Sequence, residues 1–304
     1  MGQTTTEICA GGRRPGAVLI AGPTASGKSA LALDIARRFG GVIINADSMQ
    51  VYAELRILTA RPDADDEAAA PHRLYGHVPA ARAYSVGRWL GDVGRELQSA
   101  AALGLLPVIV GGTGLYFKAL TEGLSPVPEV PAEVRARWRQ AGEATTAPEL
   151  HRLLAERDPL TAAGIRAADM QRIVRALEVL EATGRPLAEW QRIPGIPLLP
   201  PDRAERLVVE IDRERLYARA DTRFHRMVET GALDEVRGLM ALGLDTALPV
   251  MRALGVEPLA RHLAGELTLA DAIEQGQRDT RHYVKRQLSW LRRYMITWKR
   301  ITAT

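Results

Sequence analysis

Gly22-Pro23-Thr24-Ala25-Ser26-Gly27-Lys28-Ser29 follows the apolar run Val18-Leu19-Ile20-Ala21, and this junction decides the fold. A short apolar run that stops at a glycine reads as a buried strand. The residues after it fit G-x-x-x-x-G-K-[ST]. Such a loop turns successive backbone N–H groups toward phosphate oxygens, adds the charge of a lysine and offers a terminal hydroxyl to magnesium. Glycine is required where the backbone turns tightly and approaches an anion. A helix is predicted from Gly27, because Leu31, Ile35 and Phe39 recur at helical spacing and Gly40-Gly41 ends them. Its N-terminal dipole favours negative charge at the same spot. Residues Gly22 to Ser29 therefore predict a site for a di- or triphosphate, with Ser29 as the candidate magnesium ligand.

Similar junctions lie further along. Val42-Ile43-Ile44 runs into Asn45-Ala46-Asp47-Ser48-Met49-Gln50, and Val108-Ile109-Val110 into Gly111-Gly112-Thr113-Gly114 and a helix through Leu115–Leu120. A fourth strand, Leu207-Val208-Val209-Glu210-Ile211, precedes a helix with an apolar stripe of Leu216, Ala220, Phe224 and Met227. Arg219, Arg223 and Arg226 project from another face of that helix. Short apolar strands alternating with helices predict an α/β fold, a P-loop-type parallel sheet with helices on both faces. Ligands sit off the carboxyl ends of such strands, which brings Asp47 and Thr113 beside the phosphate loop.

Residues 126–201 change character. Pro126, Pro128 and Pro131 open the segment and Pro194, Pro197, Pro200 and Pro201 close it, while its interior reads as helical, with Asp169 as an N-cap and Gly184 as a stop. The expected organisation is a flexible leader over residues 1–16, a catalytic α/β core made of 17–125 and 202–304, and an all-helical insertion domain over 126–201. The last helix is predicted roughly from Leu269 to Lys299, with Val284, Leu288, Leu291 and Met295 on one stripe and Arg278, Arg281, Lys285 and Arg292 beside it.

Composition narrows the class. With 46% apolar and 25% charged residues over 304 positions, the chain can bury a real core and is not a disordered tail. The formal charge of +4 is carried mostly by arginine, whose fork suits phosphate, so a polyanionic partner fits. Cys9 is the only cysteine, which excludes an internal disulfide and a cysteine-based zinc site and fits a reducing, cytoplasmic setting. No apolar run approaches the roughly 20 residues of a membrane span. Gly2 and Arg13-Arg14 sit in formal lipidation and export patterns, but no apolar stretch of an export signal accompanies them. Nothing suggests an obligate interface, and a monomer is expected.

A phosphate loop by default serves ATP or GTP, as in a small-molecule kinase. In P-loop NTPases a second apolar strand ends in the aspartate that helps hold magnesium. Here Val108-Ile109-Val110 ends without an acid, and the acid stands instead after Val42-Ile43-Ile44.

The phosphate loop, Asp47-Ser48-Met49-Gln50-Val51-Tyr52, Thr59-Ala60-Arg61-Pro62, Gly111-Gly112-Thr113-Gly114-Leu115-Tyr116, Gln171-Arg172-Ile173-Val174-Arg175-Ala176-Leu177-Glu178 and Lys285-Arg286-Gln287-Leu288-Ser289-Trp290 occur in that order. In series they resemble the tRNA dimethylallyltransferases, over nearly the whole chain from about Ala17 to about Lys299. The resemblance implies transfer of a dimethylallyl group from dimethylallyl diphosphate to N6 of the adenine adjacent to the anticodon of tRNA, with release of diphosphate and with Mg2+ as cofactor. On that reading the loop cradles a prenyl diphosphate and no ATP is consumed.

The resemblance also implies roles. Asp47 matches the family's general base, Thr113 its contact to the reacting centre and Arg223 its diphosphate arginine. Ser48, Met49 and Gln50, together with Asp47 and Thr113, match the segments that contact tRNA, and a Gln amide suits two-point reading of an adenine edge. Arg135, Gln171, Arg172, Ile173, Val174 and Arg175 match tRNA-contacting positions of the insertion, and Lys285 and Arg286 those of the last helix. The target base must leave its stack to be reached. The chain departs from the family's usual Asp-Ile-Gly-Thr-Ala-Lys-Pro at Arg56-Ile57-Leu58-Thr59-Ala60-Arg61-Pro62, and from Gly-Tyr-Lys-Glu at Gly255-Val256-Glu257-Pro258. No zinc-finger motif like that at the C-terminus of eukaryotic relatives occurs within these residues, so the resemblance is expected to be to the bacterial form. Alternatives are a prenyltransferase acting on free adenine nucleotides, a P-loop kinase and a non-enzymatic RNA-binding protein.

Overall fold

Each predicted strand lies where an apolar run meets a loop, and together they form one parallel sheet. The computed structural model describes residues 15–302; residues 1–14 of the expected leader, Cys9 among them, lie outside that range. The strands are β1 (Ala17–Ala21), β2 (Gly41–Asn45), β3 (His72–Arg73), β4 (Leu106–Gly111), β5 (Ala204–Glu210) and β6 (Lys299–Thr302), in the order β3-β2-β4-β1-β5-β6. All pair in parallel, with Val18 beside Val108 and Leu19 beside Arg206. β1, β2 and β4 are buried along their whole length, as strands covered on both faces must be.

Two strands go beyond the expected four. β3 is only two residues long, and β6 buries only Ile301, so neither carries an apolar run. β6 also corrects the last helix, which ends at Tyr294 and not at Lys299.

Around the sheet run α1 (Lys28–Phe39), α2 (Ala64–Ala69), α3 (Val86–Ala102) and α4 (Gly114–Glu122), and later α10 (Arg213–Met227), α11 (Leu233–Ala241), α12 (Val256–Leu263) and α13 (Leu269–Tyr294). α1 starts after Gly27 and stops at Gly40, both in the left-handed region, which confirms the predicted signals. α10 buries Leu216, Ala220, Phe224 and Met227 as its stripe predicted, and the backbone breaks at Gly231 (φ 119) before α11.

The chain divides into two compact units, Glu122–Pro197 and the remainder. The insertion therefore begins and ends slightly earlier than residues 126–201. A left-handed Gly123 (φ 82) follows α4, and a side chain there would overlap the backbone of Gly195. The two ends of the unit thus pass each other in contact, and the boundary falls at that crossing.

The smaller unit holds α5 (Ala132–Ala144), α6 (Ala147–Arg157), α7 (Pro159–Ala162), α8 (Met170–Thr183) and α9 (Leu187–Gln191). Their apolar faces meet in a core of Val130, Trp138, Leu150, Leu154, Ile173 and Leu177. Asp169 caps α8 by accepting from the Arg172 amide, and Gly184 (φ 67) ends it. No helix among the described residues is long and apolar enough to cross a membrane.

Candidate active site

The phosphate loop leaves β1 at Ala21 and winds through two left-handed residues, Ala25 (φ 62) and Gly27 (φ 89). Gly22 is required, because a Cβ there would stand 2.8 Å from the buried Ser26 hydroxyl. The winding leads into α1, whose first-turn amides have no intrahelical partners and are available to an anion. Lys28 folds back over the loop, its ammonium donating to the Pro23 carbonyl at 3.2 Å. Burial pushes its pKa down to about 8; the nearby Arg223 acts in the same direction and Asp47 opposes both.

Arg223 reaches this loop from α10, with its guanidinium donating to the Thr24 hydroxyl. Burial pulls Arg223 below its usual value, against the opposing charge of Asp47. Arg219 and Arg226, its competitors in the sequence, are exposed. The reason lies in the next residue. Phe224 is buried between α12 and α13, where a Cβ on Gly255 would stand 2.7 Å from its ring and one on Gly276 would overlap it. The ring anchors α10 with Arg223 facing the loop.

Asp47 stands just past β2. Its amide donates to Asn45 Oδ1 at 2.8 Å, and its Oδ1 accepts from the Met49 amide at 2.9 Å. Asn45 is fully buried and donates to the carbonyls of Asp47 and Leu74. The Trp89 indole binds the Asn45 carbonyl at 2.8 Å. Asn45 is thus the internal brace of Asp47. Thr113 arrives from β4: its amide donates to the Ala46 carbonyl at 3.2 Å, and its hydroxyl accepts from the Ser48 amide at 3.0 Å. A side chain on Gly111 would overlap the Ala46 backbone, so the two loops touch only because Gly111 has none. The structure therefore gathers Lys28, Thr24, Arg223, Asp47, Ser48 and Thr113 from four separate segments.

Several positions behave otherwise than expected. Both hydrogens of the Gln50 amide are spent on the carbonyls of Thr59 and Ala60, each at 2.9 Å, which leaves only its oxygen for a ligand. Two-point reading of an adenine by this side chain is not available in the structure. Met49 packs against the apolar cluster around Tyr52 and Leu55. The departure at Arg56–Leu58 has its own anchor: the Glu235 carboxylate accepts from the amides of Arg56, Ile57 and Leu58 at 2.7, 2.6 and 3.0 Å. Val256, at the second departure, is buried. Ser29 and Gln50 both line a cavity of about 330 Å³ that continues past Tyr75 and Arg61.

The last helix contributes more than basic residues. Lys285 and Arg286 are exposed, as are Arg278 and Arg292, but Arg281 is bound to Asp221 at 2.7 Å. On the apolar stripe Gln287, not Leu288, is the residue buried between Val284 and Leu291. One turn earlier Tyr283 lies beside Thr113 and Gln287. Burial and the charge of Asp47 push its pKa up, so the phenol stays neutral. The signal for Gln287 was in the sequence, as a polar residue at stripe spacing within the Lys285–Trp290 block.

In the helical unit, Gln171 and Arg172 are exposed at the start of α8. Arg172 lies 3.4 Å from Asp169, Arg175 pairs with the buried Glu178 at 3.2 Å, and Arg135 donates to the Val130 carbonyl at 3.2 Å. Ile173 is a correction. At 0% exposure it belongs to the core of the unit and offers no surface to RNA. Val174 is half-buried against the same core.

Similarity to known proteins spans the chain. A family model described as IPP transferase matches residues 50–294, and one described as isopentenyl transferase matches residues 15–77. The tRNA dimethylallyltransferase of Azorhizobium caulinodans is 55% identical over 289 residues, 95% of this chain and 93% of the relative. That of Rhodopseudomonas palustris is 56% identical over 288 residues, 95% and 90% of the two. The crystal structure of the full-length tRNA isopentenylpyrophosphate transferase of Bacillus halodurans superposes with a TM-score of 0.66 at 30% identity, over 95% of this chain and 91% of that one. A eukaryotic dimethylallyltransferase solved acting on tRNA reaches 0.80 at 27% identity, over 95% and 74%.

Proposed function

The chain belongs to the IPP transferase family, that of the tRNA dimethylallyltransferases, and from this premise we propose how its site carries out the transfer. It is a prenyl transferase that acts on tRNA. The prenyl donor is dimethylallyl diphosphate, held by residues Gly22 to Ser29, and the acceptor is N6 of the adenine adjacent to the anticodon. The observation that carries this reading is the pairing of one carboxylate, Asp47, with an anion cradle that has both Lys28 and Arg223.

As N6 attacks, its bond to the allylic carbon forms and the bond from that carbon to the diphosphate oxygen breaks. The nitrogen becomes acidic only as its lone pair leaves conjugation with the ring, so an ionised carboxylate suffices to take the proton. Asp47 Oδ1 is tied to the Met49 amide, and Oδ2 faces Gly112, where a Cβ would stand 3.3 Å away. Oδ2 is the proton acceptor. Negative charge collects on the departing oxygen, and Lys28, Arg223 and the loop amides stabilise it where it develops. The Thr113 hydroxyl, now shared with Ser48, can turn to the bridging oxygen.

Magnesium would be held by the Ser29 hydroxyl and the substrate's phosphates. No group of three or more metal-binding side chains exists among the described residues, and magnesium commonly binds through few protein oxygens plus phosphate and water. When bound it neutralises charge on the leaving diphosphate. The exposed Gln171, Arg172, Lys285 and Arg286 offer contacts to the RNA backbone. The enzyme works as a monomer in the cytoplasm, where its tRNA substrate resides.

The test offers labelled dimethylallyl diphosphate with unmodified tRNA, AMP, or ATP plus small acceptors. Label is expected in tRNA alone, on N6 after digestion. Label entering AMP and not tRNA would sink the reading.

A further inference from the structure

Gln287 is 6% exposed, on a helix face where an apolar side chain would serve packing. Its Oε1 accepts from the Thr24 amide at 2.9 Å, and its Nε2 donates to the Gly112 carbonyl at 3.0 Å. These partners lie in different loops. Thr24 belongs to the phosphate loop and carries Arg223 on its hydroxyl; Gly112 immediately precedes Thr113. The contact is close enough that a side chain on Gly112 would overlap Gln287 Nε2. Three residues on, Trp290 lies against Gly114, where a side chain would overlap its indole. α13 therefore closes on both ends of the Gly112–Gly114 turn.

A carboxamide accepts on one side and donates on the other while remaining uncharged. Methionine, of similar length, does neither, and glutamate accepts only and carries a charge when ionised. We propose that Gln287 is a positioning residue of prenyl transfer, a strut that sets the distance between the diphosphate loop and the Thr113 loop. The inference rests on the reading of this site as a prenyl-transfer centre. Donor and acceptor must meet within a narrow window of distance, and a displacement of about 1 Å between their supports costs about 100-fold in rate. The strut's neutrality matters as well. A carboxylate at this position would face the Gly112 carbonyl oxygen and add negative charge beside Asp47 and the diphosphate cradle.

Wild type, Gln287→Met and Gln287→Glu are compared in initial rates with labelled dimethylallyl diphosphate and tRNA, alongside thermal melts. Gln287→Met is expected to lower kcat about 100-fold while the KM for tRNA stays within about threefold. Gln287→Glu keeps the acceptor for Thr24 but loses the donor to Gly112, and is expected also to raise the KM for dimethylallyl diphosphate about tenfold. Added to Thr113→Ala, either loss is expected to fall well short of multiplying, because the strut acts through that loop. A kcat within about threefold of wild type in either folded variant overturns the proposal. So do losses that multiply in full, or activity that returns to the wild-type rate once the assay is run well below the variant's melting point. If the wild-type chain transfers no label to tRNA, the functional reading fails separately. The strut is then judged by the affinity for inorganic diphosphate, which weakens about tenfold in Gln287→Glu if it holds and is unchanged if it does not.

Discussion

In the proposed site Lys28 meets two opposing demands: it would have to be charged to hold a diphosphate, yet the free site penalises that charge. Burial and the neighbouring Arg223 bring its pKa down to about 8 from 10.5, and only Asp47 pulls the other way. Below about pH 8 the free enzyme holds the ammonium and binds the diphosphate directly. Above it the lysine is neutral, and binding must first draw a proton from solvent, which costs about 1.4 kcal/mol per pH unit. The KM for dimethylallyl diphosphate is therefore expected to rise about tenfold per unit above pH 8, read from initial rates between pH 7 and roughly 10. A flat profile over that range would show that Lys28 is not the group that meets the charge. Stability runs in the opposite direction. The folded pKa lies below the unfolded one, so the cost of burying the ammonium is fully present below about pH 8 and is relieved as pH rises toward 10.5. Residue type and spacing made Lys28 legible in the sequence, but not its depressed pKa, which depends on Arg223 arriving from a distant helix. Gln50 is the converse case. Its amide suits an adenine edge, and only the fold reveals that Thr59 and Ala60 already occupy its donors.

Helix placement decides which of three candidate arginines enters the site. Helix spacing alone left Arg219, Arg223 and Arg226 close to equivalent, although the family resemblance pointed to Arg223, and Phe224 separates them by docking α10 against Gly276 of α13. Gly276→Ala would drive a methyl group into that ring. The expected result is a loss of about 1–3 kcal/mol of stability, as for overpacked cores, together with a raised KM for dimethylallyl diphosphate as Arg223 withdraws. Gly238→Ala is the control. It lies in α11 with nothing within 4 Å, so removal of a helical glycine is expected to stabilise by roughly 0.5–1 kcal/mol and leave kinetics unchanged. Thermal melts and initial rates check both, and normal kinetics in Gly276→Ala would contradict the anchoring role. Elements with long apolar runs, such as β1 and β4, were legible with their neighbours. β3 and β6 were not, because one is two residues long and the other buries a single side chain. A strand that borrows its stability from an existing sheet edge need not announce itself in its own residues.

Across the whole molecule, the residues proposed for chemistry come from the phosphate loop, the ends of β2 and β4, α10 and α13. The parallel sheet places the first three together at the carboxyl ends of its strands, as the alternation of strands and helices foretold. The polar tie between two of them, from Gln287 to Thr24 and Gly112, spans a long separation in sequence and left only an indirect trace, whereas Asn45 braces its near neighbour Asp47. Family resemblance supplied the substrate, which no motif specifies by itself. The central claim is that these segments form one transfer site whose base is Asp47. Asp47→Ala tests it most directly, with label transfer to tRNA and equilibrium tRNA binding measured on the same preparation. The account predicts that transfer falls at least about 100-fold while tRNA affinity stays within about threefold, as for loss of a general base. Transfer that persists within about tenfold of wild type, or binding that collapses together with transfer, would contradict it.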